Sequence, residues 1–167
     1  PIPRLPYDDV MMRYGIDKPD LRFGLEISDI TEMVGGCGFS VFADAVKQGG
    51  VVRALNAVGA CDILTRSHID ELTDLAKKHH AKGLAYIKIK ADGQLDSPIV
   101  KFLGEDLAWK IIDAVGGGGG PALPKLKAKA GDIIFFGADH HLIVEEALAY
   151  VRLDLGKRLC LILFWGC

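Results

Sequence analysis

The chain has 167 residues, half of them hydrophobic, and carries 20 Lys and Arg against 22 Asp and Glu for a formal net charge of -2. This length suits one domain with a sizeable core and is too short for a large multidomain enzyme, and the composition excludes disorder or a collagen-like fold for the chain as a whole. Because the charge is near neutral, nothing attracts the whole chain to polyanions, so any contact with RNA has to be local.

The first 60 residues predict a lead-in segment, two strands and a helix. Tyr7 to Tyr14 has the pattern of a short amphipathic helix that ends at Gly15. Leu21 to Ile30 alternates like a strand, and Phe39 to Lys47 has apolar residues at helical spacing. Val51 to Ala60 is apolar and partly β-branched, which favours a strand with one well-buried face.

The middle of the chain predicts a helix followed by a hairpin. Ser67 is predicted to cap the clearest helix of the sequence, whose last turn is rich in lysine and histidine. Leu84 to Lys90 then alternates as a strand, and Asp92-Gly93 is a typical turn sequence. We expect Ile99 to Leu103 to be the returning strand of this hairpin.

The last third predicts two helices around a buried strand. Glu105 to Val115 has a helical pattern and is ended by five glycines, Gly116 to Gly120. Ile133 to Gly137 is wholly apolar, as in strands buried on both faces, and Asp139 is predicted to cap a helix from His140 to about Gly156. Because one strand pair is a hairpin, the order of elements favours an α+β fold, with a mixed, largely antiparallel sheet packed by three or four helices.

The residue types that usually carry catalysis or metal binding have no recognisable arrangement here. The cysteines match neither a metal knuckle nor a compact disulfide framework, and the histidines form adjacent pairs, which on a helix point about 100 degrees apart. No serine lies in a GxSxG motif. We therefore expect no catalytic residue and no metal site, a reducing cytoplasmic location, and no membrane span, because no run of about 18 apolar residues occurs.

Five lysines concentrate around the end of one predicted helix and the outward face of the next strand. They are Lys77, Lys78, Lys82, Lys88 and Lys90. Such a patch could meet a phosphate backbone at a few points, or it could be an ordinary solvated surface, and the residue types leave both interpretations open. Only Tyr86 lies among them as an aromatic residue, so base recognition is not indicated.

One motif in the lead-in segment is specific. The run Tyr14-Gly15-x-Asp17-Lys18-Pro19-Asp20-Leu21-Arg22-Phe23-Gly24 resembles the YGxDKPDxRFG signature of bacterial-type aspartyl-tRNA synthetases. Three later stretches are similar to the insertion domain of these enzymes, which is shared with a tRNA-dependent amidotransferase subunit: Pro98 to Leu103, Gly131 to Phe136, and Ala147 to Leu153.

The resemblance implies a domain that is not catalytic by itself. In that family the insertion interrupts a class II catalytic core, and the whole enzyme joins aspartate to tRNA with ATP and magnesium. The class II motifs that hold ATP and aspartate are absent from this sequence. ATP and Mg²⁺ are therefore expected only for a parent enzyme. The implied partners of this domain are tRNA, bound weakly, and the catalytic core of the parent. The parent is implied to be a homodimer.

The resemblance also divides the chain into three parts. Residues 1–24 are expected to be a hinge or lead-in segment, 25–155 the insertion domain, and 156–167 the return segment toward the catalytic core. Since an insertion leaves and re-enters its host at one place, Pro1 to Asp20 and Gly156 to Cys167 are expected to lie near one another.

Two functional hypotheses remain open at this point. In the first, the lysines contact the tRNA acceptor arm. The alternative is a structural brace or protein-interaction module without RNA contact, or the equivalent domain of an amidotransferase. The hinge motif has two interpretations as well, a lock for the hinge or a direct contact with substrate or tRNA. Its residues are Asp17, Lys18, Pro19, Asp20 and Arg22, and in the first interpretation Arg22 pairs with one of the two carboxylates.

Overall fold

An antiparallel sheet separates two groups of helices in the computed structural model, which describes residues 6–117 and 126–161. The strands are β1 Ile27–Asp29, β2 Val51–Ala57, β3 Ala85–Ile89, β4 Leu95–Asp96, β5 Gly116–Gly117, β6 Leu126–Lys127 and β7 Ile133–Asp139. The helices are α1 Tyr7–Tyr14, α2 Thr31–Val34, α3 Ser40–Lys47, α4 Arg66–Lys78, α5 Val100–Leu103, α6 Glu105–Ala114 and α7 His141–Arg158. A 3-10 turn, Ala60–Asp62, precedes α4.

The main sheet has five strands in the order β1-β2-β7-β3-β4, and β5 and β6 form a separate pair. All these pairs are antiparallel, and β2 and β7 pair along their whole length, from Val51 opposite Asp139 to Ala57 opposite Ile133. The predicted α+β class and the largely antiparallel sheet are therefore confirmed. In the described ranges, no helix is long and apolar enough to cross a membrane.

Strand β7 is buried on both faces, as its sequence predicts. Ile133 and Phe135 face α4 and α7 and belong to one apolar core, while Ile134 and Phe136 face α3, α5 and α6 and belong to the other. Because successive side chains of a strand point to opposite faces, one central strand contributes to both cores.

The predicted hairpin partner of β3 is wrong. Leu95–Asp96 pairs with Lys88 and Ile89, and the stretch expected to be the returning strand forms α5. The Ser97 hydroxyl explains this early end of the strand, because it donates to the carbonyl oxygen of Tyr86 at 2.7 Å and accepts the N–H of Ile99 at 3.1 Å. These two hydrogen bonds turn the chain away from the sheet and into the helix.

Two predicted helix caps are also wrong by a few residues. Thr65 caps α4 by a reciprocal pair of hydrogen bonds with His68, so Ser67 lies inside the helix. Asp139 is the last residue of β7 and accepts the N–H of His140, and α7 begins one residue later, at His141.

The segment before β1 is less regular than predicted, because only three of the ten residues expected to form a strand do so. The carbonyl oxygens of Phe23 and Leu25 accept hydrogen bonds from Arg152 of α7. A side chain therefore takes the place of a neighbouring strand for this part of the backbone.

Helix α1 ends at Gly15 and packs against α7 there. Gly15 has φ +72° and donates its N–H to the carbonyl oxygen of Met11 at 2.9 Å, the usual left-handed cap of a helix. A Cβ atom at this position would lie 2.3 Å from the carbonyl oxygen of Glu145 and 3.2 Å from Cβ of Ala149. Both the backbone conformation and the close approach of α7 therefore require glycine.

We expect Gly15→Ala to lower the free energy of unfolding by about 2 to 4 kcal/mol, because it combines a left-handed conformation with a clash against α7. Urea denaturation followed by circular dichroism measures this loss. The matched control is Gly49→Ala, because Gly49 has φ +76° and open space where its Cβ would be, so only about 1 to 2 kcal/mol should be lost there. Equal losses in the two variants would contradict the packing of Gly15 on α7.

Candidate functional site: an arginine clasp and two groups of lysines

The side chain of Arg152 organises the lead-in segment from inside the protein. Arg152 lies on α7 and is 0% exposed. Its Nη2 donates to the carbonyl oxygens of Asp20 at 2.8 Å and Phe23 at 3.0 Å, and its Nε donates to that of Leu25. We call Arg152 and these three carbonyl groups the arginine clasp.

Two aromatic rings enclose the same guanidinium group. Its carbon lies 4.3 Å from the ring centroid of Phe23 and 4.8 Å from that of Tyr14, which are cation–π distances. Burial lowers the pKa of Arg152 to about 10, against the opposing attraction of Tyr14, Asp20 and Glu26. Arg152 therefore keeps its charge at neutral pH, and carbonyl dipoles and ring faces stabilise that charge in place of a hydrogen-bonded carboxylate.

The ring of Phe23 packs closely against α7 because position 156 has no side chain. A Cβ atom on Gly156 would be 2.7 Å from the ring of Phe23. Together with the hydrogen bond from Arg152 to Asp20, this contact places the lead-in segment beside the last turns of α7. The expected proximity of the two ends therefore holds for Asp20 and Gly156, while residues 1–5 and 162–167 lie outside the described residues.

A second, partly buried pair joins α1 to the segment before β1. Glu26 is buried and accepts hydrogen bonds from Arg13 and, at 3.5 Å, from the hydroxyl of Tyr14. The hydrogen bond from Arg13 to Glu26 raises the pKa of the Arg13 guanidinium above its ordinary value. The lead-in segment is thus held at both ends, by Glu26 and by the arginine clasp.

The hinge motif splits into residues that face the domain and residues that face solvent. The backbone carbonyl oxygen of Asp20 accepts a hydrogen bond from Arg152, and its carboxylate pairs with Arg22. The Nε of Arg22 lies 2.9 Å from Oδ1 of Asp20, and its Nη2 lies 2.5 Å from Oδ2. Asp17 and Lys18 are exposed, Pro19 is partly exposed, and neither of the two charged groups has a hydrogen bond or ion pair with any described residue. Arg22 thus pairs with the second carboxylate of the motif.

The five lysines are not brought together by the fold. Lys82 lies 3.6 Å from Asp139 at one end of β7, whereas Lys88 lies opposite Ile133 at the other end. Six residue steps of a strand separate these ends by about 20 Å. Lys77 and Lys78 end α4 on the Lys82 side.

The two groups differ in their ion pairs. Lys77 lies 3.7 Å from Asp74, and Lys82 is paired with Asp139. Lys88 and Lys90 have the same parity on and just after β3, so their side chains point to the same face, and no ion pair within 4.0 Å holds either of them among the described residues. Lys78 of the first group is likewise exposed and has no ion pair with any described residue, while Lys88 is partly exposed and Lys90 is exposed.

Sequence reasoning did not single out Arg152, although a signal was present. Arg152 lies four residues after Leu148 and next to Val151, within the apolar stripe of α7. A charged residue inside such a stripe is rarely buried without partners. The pattern could have predicted a buried arginine, but its three carbonyl partners come from residues more than 120 positions away.

These features define an α+β domain with a lead-in segment fixed to its longest helix. The family model of the GAD domain matches residues 42–148, and the chain belongs to this family. The chain is also 46% identical, over 162 residues, to the aspartate–tRNA(Asp/Asn) ligases of Anoxybacillus flavithermus (strain DSM 21510 / WK1) and Bacillus anthracis (strain A0248). The matches cover 97% of this chain and 25% of each relative, so the chain spans about a quarter of the length of the curated relatives it matches. The resemblance predicted from the motif at Tyr14 to Gly24 is confirmed.

We expect Arg152→Lys to lower the free energy of unfolding by about 2 to 4 kcal/mol, because a lysine ammonium cannot reach three carbonyl groups in the fixed fork geometry of a guanidinium. Amide hydrogen exchange should accelerate first between Tyr14 and Leu25. The control is Arg158→Lys, since Arg158 pairs near the surface with Asp154 and Glu71, and its loss should be below about 1 kcal/mol. Uniform acceleration across the whole domain would argue against a clasp that acts locally.

The hydrogen bond from Arg22 holds the pKa of Asp20 below its ordinary value. A carboxyl group with a lowered folded-state pKa contributes stability above its unfolded pKa of 3.8 and loses it as the pH falls through the folded pKa. We expect Arg22→Gln to raise the pKa of Asp20 back toward 3.8, measured by NMR titration of the Asp20 carboxyl carbon. Arg158→Gln should leave this pKa unchanged, and an unchanged Asp20 pKa in Arg22→Gln would show that the ion pair does not form in solution.

Proposed function

We propose that this chain is the insertion domain of an aspartate–tRNA ligase and that it is an accessory contact for the acceptor arm of tRNA, without catalytic activity of its own. The GAD family match and the similarity to the two ligases support the first part. In the parent enzyme, the catalytic core would bind ATP and Mg²⁺. This domain would position the acceptor arm of the tRNA and add to the affinity for tRNA. Such a parent would be a cytoplasmic homodimer.

The observation that carries the tRNA contact is that the neighbouring Lys88 and Lys90 have no ion pair with any described residue. Each ammonium group that neutralises a phosphate releases condensed counterions, so a few such contacts give weak binding with a strong dependence on salt. Of the other three lysines, Lys77 and Lys82 already have carboxylate partners within the domain, while Lys78 is exposed and has no ion pair with any described residue.

The arginine clasp favours a second, compatible role for the lead-in segment. Residues 1–24 would connect the domain to the catalytic core, residues 25–155 would form the domain proper, and residues 156–167 would return to the core. A buried guanidinium that binds three carbonyl groups of the connecting segment would fix the angle at which the domain leaves that core. The domain would then be a brace as well as a tRNA contact.

The tRNA contact can be tested by fluorescence titration of this chain with aspartate tRNA over a salt series. For the double variant Lys88→Gln and Lys90→Gln we expect the slope of log K against log salt to become shallower by about 2, because two phosphate contacts are lost. The matched control is Lys77→Gln with Lys127→Gln, which removes the same charge from two lysines that are paired with Asp74 and Asp113. Equal slopes in both double variants would leave the brace as the function.

A further inference from the structure

An open groove of about 530 Å³ lies between α1 and the corner where β1 passes into α2. We call it the methionine groove, and the residues that line it are Met12, Asp29, Ile30, Thr31, Glu32, Met33 and Val51. Four of these seven residues are apolar and two are carboxylates, and none of the seven carries a positive charge. The methionine groove therefore combines an apolar surface with negative charge.

Hydrogen bonds fix the base of the methionine groove. Ile30 is only 2% exposed and donates its N–H to the carbonyl oxygen of Val52 at 3.0 Å. The hydroxyl oxygen of Thr31 accepts the N–H of Val52 at 3.0 Å, and Thr31 donates its own N–H to Oδ1 of Asp29 at 2.9 Å. The groove is thus formed before a partner binds, which lowers the ordering cost of binding.

Methionine side chains form the adaptable part of the groove. Two of the three methionines of the chain line it, Met12 from α1 and Met33 from α2. Met12 is 54% exposed, and Met33 is partly exposed. Methionine is flexible and polarisable and is enriched at binding surfaces, so this part of the groove suits an apolar side chain of a partner.

The carboxylates on the β1–α2 side of the groove are not neutralised by the domain. Glu32 is exposed and has no ion pair with any described residue. Asp29 has only a share of one cation, because Arg53 lies 2.9 Å from Glu145 and 3.4 Å from Asp29. A surplus of negative charge therefore remains on this side.

Helix α1 adds to this surplus. Asp8 lies one helical turn before Met12 on the same side of α1, is exposed and has no ion pair with any described residue. The neighbouring Arg13 is already held by Glu26 and lies 3.2 Å from Asp9. The groove would thus repel a phosphate backbone and attract a cationic side chain, which favours a basic segment of a protein as its partner.

We infer that the methionine groove docks a segment of the catalytic core of the parent synthetase in which an apolar side chain adjoins a lysine or arginine. The inference rests on the proposed function, since it takes that core as the neighbour of this domain. One wall of the groove, α1, belongs to the lead-in segment that would join the domain to the core, and most of the length of each relative lies outside the matched quarter. The core would therefore be the protein surface nearest to the groove.

The chemistry of the partner is tested by titrating the chain with three labelled synthetic peptides of equal length and measuring fluorescence anisotropy. One peptide alternates leucine with arginine, one leucine with glutamate, and one serine with arginine. We expect only the leucine–arginine peptide to bind. Glu32→Lys should weaken this binding about fivefold, which corresponds to about 1 kcal/mol, the upper range for one exposed ion pair.

The matched control is Glu105→Lys. Glu105 is an exposed glutamate in the first turn of α6, as Glu32 is in the first turn of α2, and it does not line the groove. The two variants therefore change the net charge of the chain and the charge of a helix start in the same way. Glu105→Lys should change binding of the leucine–arginine peptide less than about twofold.

The source of the partner is tested in a chimera, in which this chain replaces the matched quarter of the Anoxybacillus flavithermus ligase. Hydroxyl-radical footprinting with mass spectrometry measures the oxidation of exposed side chains. We expect Met12 to lose most of its reactivity in the chimera relative to the isolated chain, because the core covers it. Trp109 of α6, which is 44% exposed, should remain equally reactive in both.

Several results would overturn the inference. They are no binding of the leucine–arginine peptide, equal binding of all three peptides, equal effects of Glu32→Lys and Glu105→Lys, and undiminished oxidation of Met12 in the folded chimera. A dimer of the isolated chain that Glu32→Lys dissociates would assign the groove to a second copy and overturn the inference as well. If the chimera does not fold, the peptide titration decides.

The proposed function fails separately. It is contradicted when the Lys88 and Lys90 double variant binds tRNA with the same salt dependence as the unmodified chain, and neither lysine lines the methionine groove.

Discussion

The burial of one guanidinium group, that of Arg152, is the constraint on which the rest of this structure depends. A charged group that leaves water loses several kcal/mol of solvation free energy, and only well-placed dipoles can restore it. Here three backbone carbonyl groups and two aromatic rings do so, and all of them belong to the segment between Tyr14 and Leu25. Folding of the lead-in segment and burial of the charge are therefore one event, since neither is stable without the other.

Two further arginines extend the same principle through the domain, Arg53, which is buried, and Arg13, which is partly exposed. Arg53 of β2 lies 2.9 Å from Glu145 of α7, and its Nε lies 3.4 Å from Asp29 of β1, while Arg13 of α1 binds Glu26. Each pair joins elements that are distant in sequence. Because breaking such a pair leaves an uncompensated charge inside the protein, these contacts disfavour alternative packings of α1 and α7 more than they add to stability.

Local patterns in the sequence were sufficient for most of the fold. The alternation of β3, the apolar run of β7 and the helical spacing of α4 each depend on one element and its burial, so they can be predicted without knowledge of the neighbours. The errors fall where a distant partner decides. The strand expected from Leu21 is replaced by the contacts of Arg152, and the expected return strand becomes α5 because Ser97 binds Tyr86 across the turn. The separation of Lys82 from Lys88 could have been predicted, because the strand expected over Leu84 to Lys90 already places six extended residues, about 20 Å, between them.

The contacts between α7 and the lead-in segment also limit the number of residues that α7 can have. Residues 145, 149, 152 and 156 carry these contacts, and at 100 degrees per residue the four positions fall on one narrow stripe of the helix. Inserting or deleting a single residue between positions 145 and 156 would rotate one half of this stripe by about 100 degrees relative to the other. The glycine that accommodates Phe23 and the arginine that binds the backbone would then face different directions, so the helix can vary in composition but not in residue count.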